Sequence, residues 1–451
     1  MLPISLRRSA ALCLLSFVTV AAPAASPPLE EAVPRTPHAH ATGVPPEAAN
    51  LPPLSLSGAV RRTLENSPDL AALPFPLRAQ AARIDAAGLR PAPEVGVQLE
   101  NVLGSGSRRW GNAAEATFAL SQVIELGGQR QRRVEAAEGS RALLETEQAI
   151  TQLDVLAEVS RRFIHVAGDQ KQLELTALAT RLAEKTLAEV QRRVEAARSP
   201  VAELHRARIS LARAEVEHEH AEHELLTSRR KLAAMWGEKE ASDFGAVNAD
   251  LFRLPEIGDY EVLATQLSST PDFLRFATEA RQRDAELRLA EAKSRANPTV
   301  SAGLRLFRDE NDAAFVAGVS MPLFARRQAQ PAIAEARAQR EAVDAERRVA
   351  QVKAEASLYE LVQELRHGIT EAEMLRDRVL PEMEKALAAT EYAWQRGRYS
   401  YLEWTEAQRE RIAVQRALID AAANAHLFRV EIERLTGAET TTEPDNAGVT
   451  P

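Results

Sequence analysis

The stretch VAELHRARISLARAEVEHEHAEHELLTSRRKLAAMWG, residues 201–237, shares one apolar stripe with YLEWTEAQRERIAVQRALIDAAANAHLFRVEIERLTG, residues 401–437. The stripe positions alternate in spacing between three and four residues, and each position of the second stripe lies 200 residues after its counterpart. The first stripe is Leu204, Ala207, Leu211, Ala214, His218, Ala221, Leu225, Ser228, Leu232 and Met235; the second is Trp404, Ala407, Arg411, Val414, Leu418, Ala421, Ala425, Phe428, Ile432 and Leu435. This spacing predicts a coiled-coil seam, and the glycine that ends each stretch is preferred just beyond a helix end. The pattern indicates one structural unit repeated twice.

Long segments poor in proline precede both stretches. We expect residues 129–198 to form one helix of roughly 105 Å, at a rise of about 1.5 Å per residue, and residues 332–396 to form its counterpart. The seam of this second long helix is expected at Leu358, Leu361, Leu365, Ala372, Leu375 and Val379. Shorter helices are predicted at 68–90, 200–236, 271–296 and 400–436. Helices as long as the first two do not fit inside a compact globular domain, so we expect the shorter ones to run antiparallel beside them.

Each copy also contains two strand-like segments between a short helix and the long helix. In the first copy Val95, Val97 and Leu99 alternate with small or polar residues, which predicts a hairpin over 94–124. The same alternation predicts a second hairpin over 299–323. Segments of about ten residues with one apolar face suit tilted membrane strands. Soluble hairpins packed on the helices are the alternative interpretation.

Four strands cannot close a membrane barrel, because even a narrow barrel needs about eight. Open sheet edges are not tolerated in lipid, so membrane strands would have to form a barrel shared between chains. A dimer would supply about eight strands and a trimer about twelve, and only the wider barrel leaves a lumen for transport.

The ends of the chain and its central linker complete the predicted organisation. Arg7 and Arg8 precede an apolar run and a small-residue cleavage site, which is the pattern of a secretory signal peptide. Cys13 is the only cysteine, and Leu12 precedes it where a lipid-attachment site needs a small residue, so we do not expect lipidation. The predicted segments are a signal peptide 1–24, a Pro-rich extended arm 25–53, repeat 1 54–237 with a helix pair 128–236, a connector 238–259, repeat 2 260–437 with a helix pair 326–436, and a disordered tail 438–451.

Composition argues against several classes of function. The net charge is -8, so no basic field points to nucleic acid. Charged residues make up 27% of the chain and aromatic residues 5%, a balance typical of long helices and coiled coils. Phosphate-binding loops, nucleophile elbows and the His-Glu-x-x-His pattern are missing from the sequence. We therefore predict neither an enzyme nor a bound cofactor.

Several weak motifs, taken in order and duplicated, resemble the TolC family of outer-membrane efflux proteins over residues 54–437. They are the Pro-Asp helix starts at 67–70 and 270–273, the strand-to-helix join at 120–130, and the segment from 392 to 407. The resemblance implies a homotrimer with a twelve-stranded barrel in outer-membrane lipid and a helical tunnel through the periplasm. It also implies two partners, a periplasmic adaptor (a membrane fusion protein) and an inner-membrane resistance-nodulation-division (RND) pump.

The predicted fold class is mainly α with a membrane β-barrel: four strands per chain in a trimeric twelve-stranded barrel, plus a long antiparallel coiled-coil α-barrel. The join at 121–130, followed by Arg133 and Ala136-Ala137, is most similar to the cation-efflux branch of the family, which exports ions such as cobalt, zinc, cadmium or copper. The predicted function is a passive exit duct for such cations. A duct for drugs or secreted polypeptides, and a soluble periplasmic coiled-coil scaffold, are the alternatives.

Two helix-to-helix turns carry the residues that the resemblance places at the periplasmic tip, where the adaptor docks. These are Arg198, Ser199 and Pro200 in the first copy and Gly397, Arg398, Tyr399 and Ser400 in the second. Glu403 and Glu406 match the family positions of acidic gate residues. In a trimer, six such carboxylates would approach one axis and favour cations over anions. Ordinary solvated helix charges are the alternative.

The run Glu217-His218-Glu219-His220-Ala221-Glu222-His223-Glu224 is the strongest metal-like motif. His220 and His223 are three residues apart and share a helix face, and imidazole suits zinc or cobalt, so these two are weak candidates for metal ligands. His218 lies on the seam at the position of Leu418 in the second copy. One packed and two solvated histidines is the favoured interpretation.

Overall fold

The computed structural model describes residues 51–108, 111–241 and 243–437, and this part of the chain is mainly α-helical with one antiparallel four-stranded sheet. The predicted fold class is confirmed at this level. The predicted signal peptide with Cys13, nearly all of the Pro-rich arm and the C-terminal tail lie outside the described residues. None of the described helices combines the length and the apolarity that a membrane span requires.

The two copies place their helices and strands in a similar order. The first copy contains α1 (Leu56–Asn66), α2 (Pro68–Ala72), α3 (Pro74–Gly88), β1 (Glu94–Glu100), β2 (Glu115–Val123), α4 (Gln129–Glu195) and α5 (Val201–Ala233). The second contains α6 (Tyr260–Leu267), α7 (Pro271–Ala292), β3 (Thr299–Phe307), β4 (Asp312–Ser320), α8 (Ala325–Met374), α9 (Leu380–Gln395) and α10 (Tyr401–Thr436). A 3₁₀ turn, Ala234–Trp236, extends α5, and a π-helical turn, Leu375–Val379, joins α8 to α9. The sequence analysis did not anticipate the short helices α1 and α6.

Helix α4 organises the packing of the other helices. Its 67 residues span about 100 Å. Near the sheet it contacts α3 and α7, where Gln282 donates to the hydroxyl of Ser140 at 3.0 Å. Towards its other end it contacts α5 and α10, where Thr180 donates to the carbonyl of Ala214 at 3.2 Å. Helix α7 belongs to the second copy and packs on both α4 and α8, so it links the two copies.

The seam of the second long helix changes phase at the π-helical turn. Its buried or half-buried residues keep heptad spacing on both sides, as Leu358, Leu365 and Ala372 before the turn and Leu380, Leu387 and Trp394 after it. The two sets are offset by one residue, because a π turn closes over five residues instead of four. The expected seam position at Val379 is wrong for this reason, and that side chain is exposed. Pro381 follows the turn, and its missing N–H makes an ordinary helical hydrogen bond impossible there.

The connector between the two copies is part of the core. Phe244 and Val247 are buried in the main apolar cluster, and Val247 forms a parallel bridge with Leu54. The buried guanidinium of Arg229, on α5, donates to the carbonyl oxygens of Phe244 at 2.6 Å and Ala241 at 3.3 Å. These bonds satisfy a charged group that would be costly to bury unpaired, and they fix α5 to the connector.

The sheet has the strand order β1-β2-β3-β4, so its two edges are β1 and β4. The hairpins of the two copies pair with each other through β2 and β3. Buried Gln129, at the start of α4, ties the sheet to the helices. It accepts a hydrogen bond from Asn297 at 2.9 Å and donates to the carbonyl oxygens of Ala292 and Arg295, both at 3.1 Å. The strand-to-helix join is therefore anchored by one side chain and two backbone carbonyl groups of the opposite copy.

Candidate functional site

The two predicted tip turns share one backbone conformation. In the second turn the N–H of Arg398 donates to the carbonyl of Ala393 at 2.9 Å, and the first turn repeats this bond 200 residues earlier at 2.7 Å. Such a bond closes a helix in the Schellman pattern, which needs a left-handed residue. Gly397 fills that position with φ 71°, and Ala197 fills the equivalent one with φ 55°. Glycine adopts this conformation freely, whereas an alanine there is unusual.

The structure brings both turns to the same end of the helices. Arg193, just before the first turn, donates to the carbonyl of Trp394, just before the second, at 3.3 Å. Ser199 is half-buried, and the other residues predicted to dock the adaptor are exposed: Arg198, Pro200, Gly397, Arg398, Tyr399 and Ser400. The two turns thus form one polar surface, which we call the tip.

A cluster of side chains around an aromatic stack links the two helix hairpins, α4–α5 and α9–α10, just above the tip. The rings of Trp394 and Trp404 are stacked, with centroids 4.0 Å apart and planes 16° from parallel. The guanidinium carbon of Arg193 lies 4.4 Å from the centroid of Trp394. Val190 and Ala207 are buried in the same cluster. The sequence placed Trp404 on the seam but gave no sign of its partners, because they come from three different helices.

The carboxylate of Glu403 caps its own helix. It accepts hydrogen bonds from the backbone N–H of Ser400 at 2.7 Å and from the Ser400 hydroxyl at 2.9 Å. The hydroxyl of Ser400 in turn accepts from the N–H of Glu403 at 3.3 Å, which completes a capping box. The bonds from the Ser400 backbone and side chain lower the pKa of Glu403. This carboxylate therefore stays ionised to lower pH than an ordinary glutamate.

Glu406 lies one turn further along α10 and is exposed. Its carboxylate is 3.8 Å from the guanidinium of Arg409. Glu410, which the sequence analysis did not single out, continues the stripe at a spacing of four residues and is also exposed. The spacing of three and four was the signal that would have found it.

An open groove of about 500 Å³ lies above the tip, between α5 and α10, with α4 as its floor. Several alanines line its floor and walls. Between α10 and α4, Gln408 donates to the hydroxyl of Thr186 at 3.3 Å. Arg416 on one wall lies 3.5 Å from the carboxylate of Glu217 on the other. Burial raises the pKa of Asp420 at the groove's upper end.

The histidine run on α5 is spread around the helix. His218 has 25% of its side chain exposed, and its Nδ1 lies 3.1 Å from the hydroxyl of Thr176. His220 is 66% exposed and pairs with Glu224 at 3.2 Å, while His223 is also exposed. Within residues 51–108, 111–241 and 243–437, no three His, Cys, Asp or Glu side chains converge as a metal site would require.

One face of the sheet is apolar across all four strands. The pairing register places Val97, Phe118, Leu304 and Phe315 in one row across all four strands, and all four are exposed or half-buried. The rows on either side of it on this face are also apolar, apart from Gln122. They contain Val95, Leu120, Ala302 and Ala317, then Leu99, Ala116, Leu306 and Ala313, and at the end Val300 and Val319. A soluble monomer rarely exposes an apolar surface of this extent.

Every charged residue of the four strands lies on the opposite face. They are Glu94, Glu100, Glu115, Arg305 and Asp312. Arg305 lies 3.2 Å from the carboxylates of both Glu100 and Glu115. It also donates to the hydroxyl of Thr117 at 3.0 Å. The alternation along single strands does not reveal this cluster, because its members come from three strands.

Both a family model and a known protein match this chain. Residues 59–238 match the family model of the outer membrane efflux protein. The cobalt-zinc-cadmium resistance protein CzcC of Cupriavidus metallidurans is 27% identical over 394 residues, which are 87% of this chain and 92% of that protein.

Solved structures of membrane proteins share the fold. A membrane protein from Pseudomonas aeruginosa has a TM-score of 0.70 at 17% identity, covering 86% of this chain and 92% of the other. The CmeC outer membrane channel of Campylobacter jejuni has a TM-score of 0.68 at 13% identity, covering 85% of each chain. The resemblance predicted from the sequence is thereby confirmed: residues 59–238 match the outer membrane efflux protein family, and the chain has the fold of solved outer-membrane channels.

Proposed function

We propose that three copies of this chain form the outer-membrane exit duct of a tripartite efflux system, and that the duct performs no chemistry. The observation that carries the proposal is the four-stranded sheet, which has one face that is apolar apart from Gln122 and two unpaired edge strands, β1 and β4. Lipid would cover the apolar face. The unpaired backbone N–H and C=O groups of the edge strands would need further strands as partners, because open edges are not tolerated in a bilayer. A soluble scaffold would leave both exposed to water.

The outer helices support closure by further copies. On α5, Ile209 and Val216 are exposed and seven residues apart, so they share one helix face. On α8, Val349, Val352 and Tyr359 are exposed at helical spacing. These two stripes lie on helices at opposite sides of the protomer, since α5 packs on α4 and α8 packs on α7 and α10. Further copies packed against these exposed apolar side chains would remove them from water.

The cargo that we propose is divalent metal cations, on the similarity to a cobalt-zinc-cadmium resistance protein over most of both chains. The partners are an inner-membrane RND pump and a periplasmic adaptor, which docks at the tip through the exposed turn residues around Arg198 and Arg398. His220 and His223 are exposed on α5 and have no part in this proposal.

Deletion of the gene and complementation test the proposal. We expect the deletion strain to lose tolerance to cobalt, zinc or cadmium, and the plasmid-borne chain to restore it. The purified protein should require detergent and run as a trimer. Restored tolerance to drugs but not to metals would support the alternative cargo, and extraction as a monomer without detergent would overturn the duct itself.

We also propose that Glu403 and Glu406 form an acidic gate at the tip. The Glu403→Ala, Glu406→Ala double variant should show higher conductance or weaker cation preference in planar bilayers, because six carboxylates are removed from the trimer's axis. Ser400→Ala is the matched control. It weakens the same helix cap, at a cost of about 0.5–2 kcal/mol, but keeps both carboxylates. Equal changes in the two variants would assign the effect to the cap and exclude the gate.

A further inference from the structure

We propose that Arg305 sets how strongly the strand-lined part of the duct discriminates between cations and anions, an inference that rests on the proposed function. Arg305 is the single basic residue on the four described strands, and it lies on their polar face. When the apolar face meets lipid, the polar face lines the lumen. The guanidinium of Arg305 is then a fixed positive charge in the path of the cargo.

The position of Arg305 within the sheet is next to an acidic row. The register aligns Glu100, Glu115, Phe307 and Asp312 across the four strands at the end that carries the hairpin loops. Arg305 lies in the adjacent row, beside Thr117. Three carboxylates and one guanidinium therefore meet at one end of the face, while the central row of Gly96, Ala119, Gly303 and Val316 carries no charge.

The guanidinium of Arg305 lies close to the carboxylates of both Glu100 and Glu115. Glu100 and Glu115 are direct partners across β1 and β2, and like charges so placed repel each other. Arg305 offsets that repulsion, because its guanidinium is 3.2 Å from each carboxylate, and its bond to Thr117 holds it there. A second bond orients Glu115, which accepts from the side-chain amide of Asn101 at 2.9 Å.

The net charge of this ring follows from the count of its members. Each chain contributes three carboxylates and one guanidinium, so a trimer would carry a net negative ring that Arg305 partly neutralises. A charged ring in a narrow pore sets ion preference, and a partly neutralised ring attracts cations without holding them tightly. Discrimination then has two independent levels, one at Glu403 and Glu406 and one at the far end of the duct.

Reversal potentials across planar bilayers under a salt gradient test the proposal. Arg305→Gln should raise the cation-to-anion permeability ratio by about twofold or more, and the Glu100→Gln, Glu115→Gln double variant should lower it. The two shifts have opposite signs although both variants lose the same ion pairs. Arg305→Lys keeps the charge and should keep the wild-type ratio, which separates charge from folding.

Two different failures are distinguishable. Wild-type protein that forms no channels overturns the proposed function. Channels that open normally, but whose permeability ratio is unchanged in all variants or shifts in the same direction in both Gln variants, overturn the role of Arg305 and leave the duct intact. Glu94→Gln removes a charge from the same face at the other end of β1. If it alone changes the ratio, selectivity lies elsewhere and the inference is wrong.

Discussion

Val97→Arg should abolish assembly of the protein in the outer membrane. Val97 is 59% exposed in the protomer and lies in the central row of the apolar face. An arginine on the lipid face near the bilayer midplane costs about 2–4 kcal/mol in each copy of a membrane barrel, and a trimer would meet this cost three times. We expect little or no trimer in the outer-membrane fraction and a loss of metal tolerance as complete as that of the deletion strain.

The neighbouring residue provides a matched control for this prediction. Gln98→Arg introduces the same side chain one position later on β1, where the pleat turns it to the polar face. It should form normal amounts of trimer in the outer-membrane fraction. If both variants assemble equally well, the assignment of the two faces to lipid and lumen is wrong, and the soluble interpretation of the sheet is favoured.

Trp404→Ala should loosen the tip and leave the β-sheet at the other end of the helices unchanged. Trp404 is 5% exposed and stacks on Trp394, which also contacts Arg193. Truncation of a buried tryptophan costs about 3–5 kcal/mol, and stacked aromatic pairs contribute about 0.5–1.5 kcal/mol beyond their burial. Because the cluster around the stack joins the helix hairpins α4–α5 and α9–α10, we expect faster amide hydrogen exchange on both sides of it, over 187–195 and 387–404.

Leu402→Ala is the control for the loosened tip. Leu402 lies two residues away on the same helix and is 56% exposed, so its truncation leaves no cavity. Exchange near the tip should match that of the wild type. Unchanged exchange in Trp404→Ala would show that the rest of the seam holds the helix hairpins α4–α5 and α9–α10 together. The stack would then contribute little to local stability.

The sequence predicted the elements that repeat and missed those that depend on a distant partner. The seam on α5 and α10 is periodic, so its spacing alone was sufficient, and Leu225 and Leu232 are buried as that spacing required. Strands β1 and β3 were predicted from their alternation for a similar reason, whereas β2 and β4 alternate less cleanly and were predicted as their hairpin partners. The connector has no such period, so nothing in the sequence indicated that Phe244 and Val247 belong to the core.

The candidate site was predicted only in part. The turns at Arg198 and Arg398 follow from the glycine, serine and proline that end long helices, whereas the contacts between them do not. Sequence reasoning treated Glu403 as a gate residue, although the serine three residues earlier is the signature of a capping box. The carboxylates around Arg305 come from β1 and β2, and only the pairing register brings them together.

The π-helical turn at 375–379 determines how this chain should be aligned with related channels. The seam keeps its seven-residue spacing on both sides of the π-helical turn, but the turn adds one residue between the two sets. Ala372 and Leu380, which lie on the same seam, are therefore eight residues apart. An alignment anchored at the strands and extended towards the tip without a gap would therefore misassign every tip position by one residue against a channel that lacks this π-helical turn. Alignments that compare Trp394 between relatives should be anchored at Gly397, the glycine of the second tip turn. Any insertion or deletion should be placed within the π-helical turn, 375–379.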